Sequence, residues 1–414
     1  MSGKETEYSP GKNYEDISSV NKSSIIKFLR RSGVCSRSQI SKAMGLTQAS
    51  ISKIIAQLIE ENIVYETGYI TGEKGRRSIG VALNTRCKKV LGVRISRRSF
   101  AIGLFDLGGQ MYESVAGQFT AETTLHDVIG RIRRSLNNYL EQYPDIASIG
   151  VAVPGPFNQR TSEIILTTSM ATADWTNTNL RLQFGEFPVP IAFSHDADAG
   201  ALADWWFGSR VSELGTSLVH FLVGDGVGAG HVVDGELASQ AGFSREMGHI
   251  SINVDGPVCL CGNRGCLELY CSTFAFMKMV EDELPMHPGS ALARLINLNP
   301  RDVFAAARAD DSFAVSCVRR LGRYIGYGVV NIIYAYEPDI VIISNEMARG
   351  GKLLLDQIRE VVKQRIPMVI YRKVSIQLED DWLMNDPVLY GAAAVAVGHC
   401  MESPVMLLGN NAGH

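Results

Sequence analysis

A chain of 414 residues is too long for one ordinary domain and predicts two or three. Hydrophobic residues make up 46 % and charged residues 20 %, which excludes a disordered or fibrous protein. The formal charge of −3 argues against a nucleic-acid protein, but it hides a split. Residues 1–90 carry 15 Lys+Arg against 8 Asp+Glu, a net of +7; the rest carries 25 against 35, a net of −10. A basic head on an acidic body implies an anion-binding module joined to a part with a different ligand. No run approaches 18 apolar residues, and Met1–Lys12 lacks the apolar core of a signal peptide. Neither membrane insertion nor export is expected, and the expected location is cytoplasmic.

Residues 1–18 show no apolar period and read as a flexible tail. Ile25, Ile26 and Leu29 make a helical stripe ended by Gly33. Ser36 opens a second helix, with Ile40 and Ala43 inward and Gly45 at its end. Thr47 caps a third, carrying Ile51, Ile54, Ile55, Leu58 and Ile59. Ile63–Tyr65 and Ile79–Leu83 then flank a basic turn, which is a hairpin signal. From Lys89 strand-like and helix-like segments alternate. Strands are expected at Val90–Ile95, Phe100–Phe105, Ile149–Val153, Ile191–Ser194, Leu218–Val223 and Ile340–Ile343. Helices are expected at Leu125–Tyr143, Ala197–Phe207 and onward from Ser272. That order means α/β.

Three short helices and a hairpin make a winged helix-turn-helix, assigned to residues 19–85. A small residue at Ser41 lets two helices cross, Gly45 permits the turn, and Ile51 fills the space beneath. The third helix would enter the major groove by its first turn, presenting Thr47, Gln48, Ala49, Ser50 and Lys53. Gln48 can read an adenine edge and Ala49 can touch a thymine methyl, whereas Lys53 would meet phosphate. Lys74, Arg76 and Arg77 give the hairpin a basic tip suited to phosphate or the minor groove. The plainer alternative is a three-helix interaction module with a solvated basic face.

Four of the eight cysteines fall between Cys259 and Cys271. His249, Cys259, Cys261 and Cys266 supply one imidazole and three thiolates, the ligand set of a closed structural zinc site, one ion per chain. Such a shell leaves no open position for a catalytic water. A group of buried free thiols is the alternative.

The stretch Glu246-Met247-Gly248-His249, followed by Cys259-Leu260-Cys261-Gly262-Asn263-Arg264-Gly265-Cys266-Leu267-Glu268, resembles the signature of the ROK family (repressors, open reading frames, kinases). The head, with Gly75-Arg76-Arg77, resembles that of its repressor branch, which includes repressors for xylose, N-acetylglucosamine and glucose uptake. The resemblance implies a two-lobed, ribonuclease-H-like body of the actin and sugar-kinase type. The lobes would span 86–200 and 201–387, the second holding the zinc, with helix 388–401 returning to the first. It also implies a sugar between the lobes, held by Asp196, Glu246, His249 and Glu268, with His195 standing where the kinases have an Asn.

In the kinases of the family an Asp-x-Gly-Gly-Thr turn cradles nucleotide phosphates. Here Arg94-Ile95-Ser96-Arg97-Arg98 stands in its place, and Ser344-Asn345 replaces a later Gly-Gly. The glycine-rich Gly224–Gly230 is kept, and Asp196 keeps the place of the kinase base. Ala171 replaces an Asn expected near the sugar. The resulting expectation is a non-enzymatic repressor of sugar uptake or metabolism genes. It would bind operator DNA as a homodimer or tetramer and answer to a sugar or sugar derivative. One alternative is release by a phosphotransferase-system protein; another is an ATP-dependent sugar kinase with a DNA-binding head.

Overall fold

The computed structural model describes residues 14–71, 77–96, 98–120, 122–165, 175–208, 216–238, 244–379, 386–402 and 407. The chain divides into two compact units, 1–89 with 397–414, and 90–396.

The first unit opens with α1 (Tyr14–Ser32), which starts inside the segment expected to be a flexible tail. Ile25, Ile26 and Leu29 are buried on it, and Gly33, at φ +68°, closes it. After the two-residue strand β1 (Cys35–Ser36), Ser36 and Gln39 form a reciprocal capping box that starts α2 (Arg37–Met44). Gly45 ends α2 in the left-handed region. The Ser41 hydroxyl donates to the Leu46 carbonyl at 2.6 Å, which holds the turn. Ile40 is buried as expected, but Ala43 is exposed rather than inward. Thr47 caps α3 (Gln48–Glu60), which buries Ile51, Ile54, Ile55 and Leu58. β2 (Val64–Thr71) and β3 (Arg77–Leu83) form the hairpin, and β3 also pairs with β1. At the far end of α13 (Pro387–Glu402), the Ser23 hydroxyl donates to the Met401 carbonyl.

The second unit holds two five-stranded sheets built to one plan. In the first, β4 (Lys89–Ile95), β5 (Ser99–Asp106) and β6 (Met111–Gln118) run consecutively. After α4 (Leu125–Gln142), β7 (Ile146–Val153) adds beside β4. Next come a small sheet of β8 (Phe157–Asn158), β9 (Glu163–Ile164) and β10 (Thr178–Asn179), and α5 (Leu180–Phe184). β11 (Ile191–His195) then pairs parallel to β7 and leads into α6 (Asp196–Phe207).

In the second sheet, β12 (Ser217–Val223), β13 (Val227–Val233) and β14 (Glu236–Leu237) make the meander. The helices α7 (Glu268–Cys271), α8 (Thr273–Glu283), α9 (Pro300–Arg308) and α10 (Ser312–Tyr336) follow. β15 (Ile340–Ser344), α11 (Gly351–Arg365), α12 (Met368–Tyr371) and β16 (Ser375–Leu378) complete it. The orders β11-β7-β4-β5-β6 and β14-β13-β12-β15-β16 are the same plan twice. β7 and β15 lie inside their sheets and are buried at every position, which explains why both are apolar but for Ser148 and Ser344.

The glycines of this body are set by backbone approach. A Cβ on Gly150 of β7 would lie 2.0 Å from the Ala392 carbonyl oxygen, and one on Gly92 of β4 would lie 2.9 Å from that of Leu389. The Gly/Ala-rich start of α13 therefore lies directly on the first sheet. A Cβ on Gly230 would lie 2.1 Å from the Ala197 carbonyl oxygen of α6. This corrects the reading of Gly224–Gly230 as a glycine-rich turn: only Gly224–Gly226 turns, and the rest is β13 under α6. From Ala197 to Phe207 every residue of α6 is buried, so its sequence carries no polar stripe.

Gly150→Ala places a methyl against a backbone carbonyl that cannot step aside. It is expected to cost about 2–3 kcal/mol of unfolding free energy. Gly130→Ala, in α4 with open space around it, is expected to be neutral or to gain about 0.5–1 kcal/mol. Denaturant melts of the two variants check the pair.

Candidate functional site

Three groups of side chains answer to the expected sites. On the head, the Thr47 hydroxyl accepts from the Ser50 backbone N–H at 3.2 Å, which starts α3. Gln48, Ala49, Ser50 and Lys53 are all exposed on that end of the helix. Arg77 is exposed at the start of β3, opposite Thr71. Lys74 and Arg76 lie outside the described residues, as do Arg97 and Ala171.

The second group lines a cleft of about 480 Å³ fed by both sheets of the body. His195, Asp196, Glu246, His249 and Glu268 all border it, so the structure brings the five expected residues together. His195 sits at the end of β11, with its side chain 4 % exposed. Its Nε2 is 3.2 Å from Asp196 Oδ1 and 3.9 Å from Glu246 Oε1. Burial opposes its charging, but Asp196, Glu246 and Asp198 outweigh this and hold its pKa above the usual value. Asp198 is pushed up to about 6, chiefly by burial, with His195 and Arg245 pulling the other way.

Asp196 is the first residue of α6 rather than its cap, and Oδ1 accepts from the Ala197 N–H at 2.7 Å. Glu246 receives the Ser244 hydroxyl, whose oxygen accepts from the Phe157 N–H at 3.0 Å. Glu268 Oε2 accepts from the Val227 N–H at 3.0 Å, which fixes it at the start of β13.

The places expected of a nucleotide cradle are filled differently. Arg94 Nε pairs with Asp386 at 2.9 Å, and its Nη1 donates to the Ser99 hydroxyl at 3.2 Å. Ser344 Oγ meets His220 Nε2 at 2.6 Å, and His220 Nδ1 meets Asp204 at 2.7 Å. These three side chains are sealed in the core. Sequence reasoning named Ser344 but missed its partners His220 and Asp204, and also missed Arg301, Arg349 and Asp386 on the cleft wall. None of them carries a local motif; only the fold brings them in.

The third group is the cysteine knot. Ligand atoms of His249, Cys259, Cys261 and Cys266 all lie within 4.8 Å of one another and could hold a metal ion. Bonds of about 2.3 Å to sulfur and about 2.0 Å to nitrogen give tetrahedral edges of about 3.8 and about 3.5 Å. The Cys261–Cys266 sulfur separation is 3.7 Å, and His249 Nδ1 lies 3.6 Å from the Cys259 sulfur. Gly262 and Gly265 adopt φ of +90° and +61°, turns that side chains resist. Burial and the neighbouring thiols push Cys266 up to about 12, so a cation is what would hold these sulfurs as thiolates. Cys271, buried and bonded to the Leu267 carbonyl, stands outside the four.

Taken together, the second unit is a body of two like five-stranded sheets with a polar cleft, and the first is a unit of three helices with a β-hairpin. The ROK family model matches residues 90–398. The chain belongs to the ROK family. It is 28 % identical to the xylose repressor of Caldicellulosiruptor bescii over 95 % of this chain and 99 % of that one. It is 27 % identical to the N-acetylglucosamine repressor of Escherichia coli O157:H7, over 84 % and 86 %. A crystal structure of a ROK family transcriptional regulator, described as a homologue of the E. coli MLC protein, superposes with a TM-score of 0.78 at 25 % identity, covering 94 % of this chain and 98 % of that one. A ROK family glucokinase from Streptomyces griseus, in complex with glucose and AMPPNP, gives a TM-score of 0.64 at 23 % identity over 74 % and 99 %, a likeness of fold. Among the described residues no helix is long and apolar enough to cross a membrane.

Metal analysis of freshly purified protein is expected to find about one zinc per chain. Cys259→Ser and Cys266→Ser should each lose the ion and lower the melting temperature by several degrees, on the order of 5 °C. Full occupancy in both variants would remove these sulfurs from the shell.

Proposed function

We propose that this chain is a sequence-specific DNA-binding repressor of sugar uptake or metabolism genes. It acts through a winged helix-turn-helix head and is controlled by a sugar or sugar derivative in the inter-lobe cleft. The observation that carries this is the cleft itself. Carboxylates and imidazoles suited to sugar hydroxyls are gathered there, while an arginine–aspartate pair fills the place of the phosphate turn.

The α3 end would read base edges with Gln48 and Ala49, while Thr47, Ser50 and Lys53 meet the backbone. Lys74, Arg76 and Arg77 would follow phosphate or the minor groove beside it. Asp196, Glu246 and Glu268 would accept sugar hydroxyls. His195 and His249 would complete the wall, and Asp196 would be the remnant of a kinase base. His249, Cys259, Cys261 and Cys266 would hold one structural zinc, which fixes the His249 ring at the cleft. A ligand that releases operator must bind the DNA-free form more tightly, by the factor it loses on the DNA-bound form. A homodimer or tetramer would set two heads on paired half-sites.

A second reading has a phosphotransferase-system protein release the DNA instead. It is favoured by His195, whose Nε2 is already engaged by Asp196 and lies close to Glu246. The kinase reading is disfavoured by the Arg94–Asp386 pair and by Ser344, which His220 holds.

Gel-shift assays with the DNA upstream of the chain's own gene, against sugars, sugar phosphates and transport proteins, test the three. Release by a sugar supports the first reading, release by a protein alone the second, and phosphoryl transfer to a sugar the third. Arg76→Ala with Arg77→Ala should weaken DNA binding on all sequences and lower the salt slope by about 2. An unchanged slope would remove the hairpin from the DNA interface.

A further inference from the structure

The hydrogen-bonded chain Asp204–His220–Ser344 lies wholly in the core, and neither the expected sugar contacts nor the cysteine knot uses it. His220 stands on β12, at the middle of the second sheet, and is 0 % exposed. Its ring fits because Gly200 of α6 has no Cβ to collide with it. Glu379, buried just after β16, completes the group: ligand atoms of Asp204, His220 and Glu379 all lie within 4.8 Å of one another. Two carboxylates in a core need a cation. A metal ion fits poorly. His220 Nδ1 and Asp204 Oδ2 stand 2.7 Å apart, the span of a hydrogen bond, whereas bonds of about 2.1 Å to a shared ion would spread them to about 3 Å or more. The other ring nitrogen, Nε2, is taken by Ser344 at 2.6 Å. The cation that suits this geometry is a proton on His220. Among the described residues, Asp204 and Asp196 of α6 and Glu379 are the charges that bear on the ring; Gly230, opposite it on β13, and Ser344 of β15 bring none. Burial opposes its charging, but these carboxylates outweigh this and hold its pKa above the usual value.

The end of this chain nearest the cleft is strained. Asn345, next to Ser344, has φ +69° and ψ −160°, a region that is essentially glycine's. Its Oδ1 accepts from the Glu346 N–H at 2.7 Å, and its own N–H reaches Glu379 Oε2 at 3.4 Å. Asn345 and Glu346 both border the cleft, and Glu346 pairs there with Arg301 and Arg349. Such a backbone persists only where its surroundings over-determine it. Here the buried group anchors it twice, through the Ser344 hydroxyl on His220 and through Glu379 on the Asn345 N–H. We infer that Asp204, His220, Ser344 and Glu379 form a proton-held latch, which ties α6 to the cleft wall at Asn345 and Glu346 and makes the shape of that wall respond to pH. His220 is its positioning residue. When the ring loses its proton, two buried carboxylates are left uncompensated, the latch slackens and Asn345 relaxes. The folded pKa lies above the unfolded one, so the stabilisation is complete below about pH 6.5 and is lost as pH rises through the folded pKa. The latch stands whether or not the cleft takes a sugar.

Nitrogen NMR of the histidine rings and thermal melts of the full chain test this. The ring signal that His220→Gln removes is expected, at neutral pH, to be that of an imidazolium with both nitrogens protonated. If that variant does not fold, Ser344→Ala identifies the same signal by shifting it. Glutamine keeps hydrogen bonds but does not titrate, so the melting temperature of the wild type relative to His220→Gln should fall by about 2–4 °C as the pH is raised from acid to alkaline. Asn345→Gly should raise the melting temperature of the wild type and leave that of Asp204→Asn unchanged, a dependence that runs through the latch. A neutral ring at neutral pH, or equal effects of Asn345→Gly in both backgrounds, overturns the proposal. A second metal ion per chain, besides zinc, that Asp204→Asn removes would also overturn it, by putting a metal in the proton's place.

Discussion

The contact on which the rest of the body depends is the close seating of α6. This helix leaves the last strand of the first sheet and lies on β12 and β13 of the second. The approach is nearly backbone to backbone, because Gly230 offers no Cβ to the Ala197 carbonyl and Gly200 none to His220. Gly391 of α13 meets Ala199 from another side in the same way. Such packing is stiff, since a close-packed contact shifts between discrete arrangements rather than deforming smoothly. One helix therefore belongs to both lobes. Its first residue, Asp196, stands in the cleft, and Asp204, two turns on, holds His220 and through it Ser344. On the proposed function, a ligand at Asp196 would bear on the element that joins the two sheets.

The cleft is held from its other side by the cysteine knot. His249 offers Nδ1 to the thiol cluster, and the same residue borders the cleft. Asn263 within the knot donates to the His249 carbonyl at 2.9 Å, and the Cys266 thiol bonds that oxygen too. A bound ion would thus immobilise a segment that also carries Glu246, three residues earlier. The neighbouring Arg245 is braced in turn by the Tyr336 ring and by His231. Polar groups around the cleft are tied to one another before any ligand arrives, which is how a site keeps its shape.

Much of this was legible where the cause is local. The caps at Ser36 and Thr47, the turn at Gly45 and the spacing of the knot cysteines all act within a few residues, and all are read correctly. The five residues carried over from the family resemblance also meet in one cleft. What failed depended on partners far along the chain. Gly228 and Gly230 look like a phosphate turn until α6 is seen above them. Ser344 looks like a lost glycine until His220, 124 residues away, is found on its hydroxyl. Arg301 and Arg349 have ordinary helical surroundings in sequence and reach the cleft only through the placement of their elements. The start of α1 was missed because its first turns carry no apolar stripe.

On the proposed function, filling the cleft changes operator affinity through the groups at the start of α6. The most direct measurement is operator binding by fluorescence anisotropy during titration with each sugar and sugar phosphate. It should be made on the wild type and on Asp196→Asn/Glu246→Gln. One class of ligand is expected to weaken operator binding of the wild type at least about tenfold. The variant should bind operator equally well and no longer respond. An undiminished response in the variant would contradict the account.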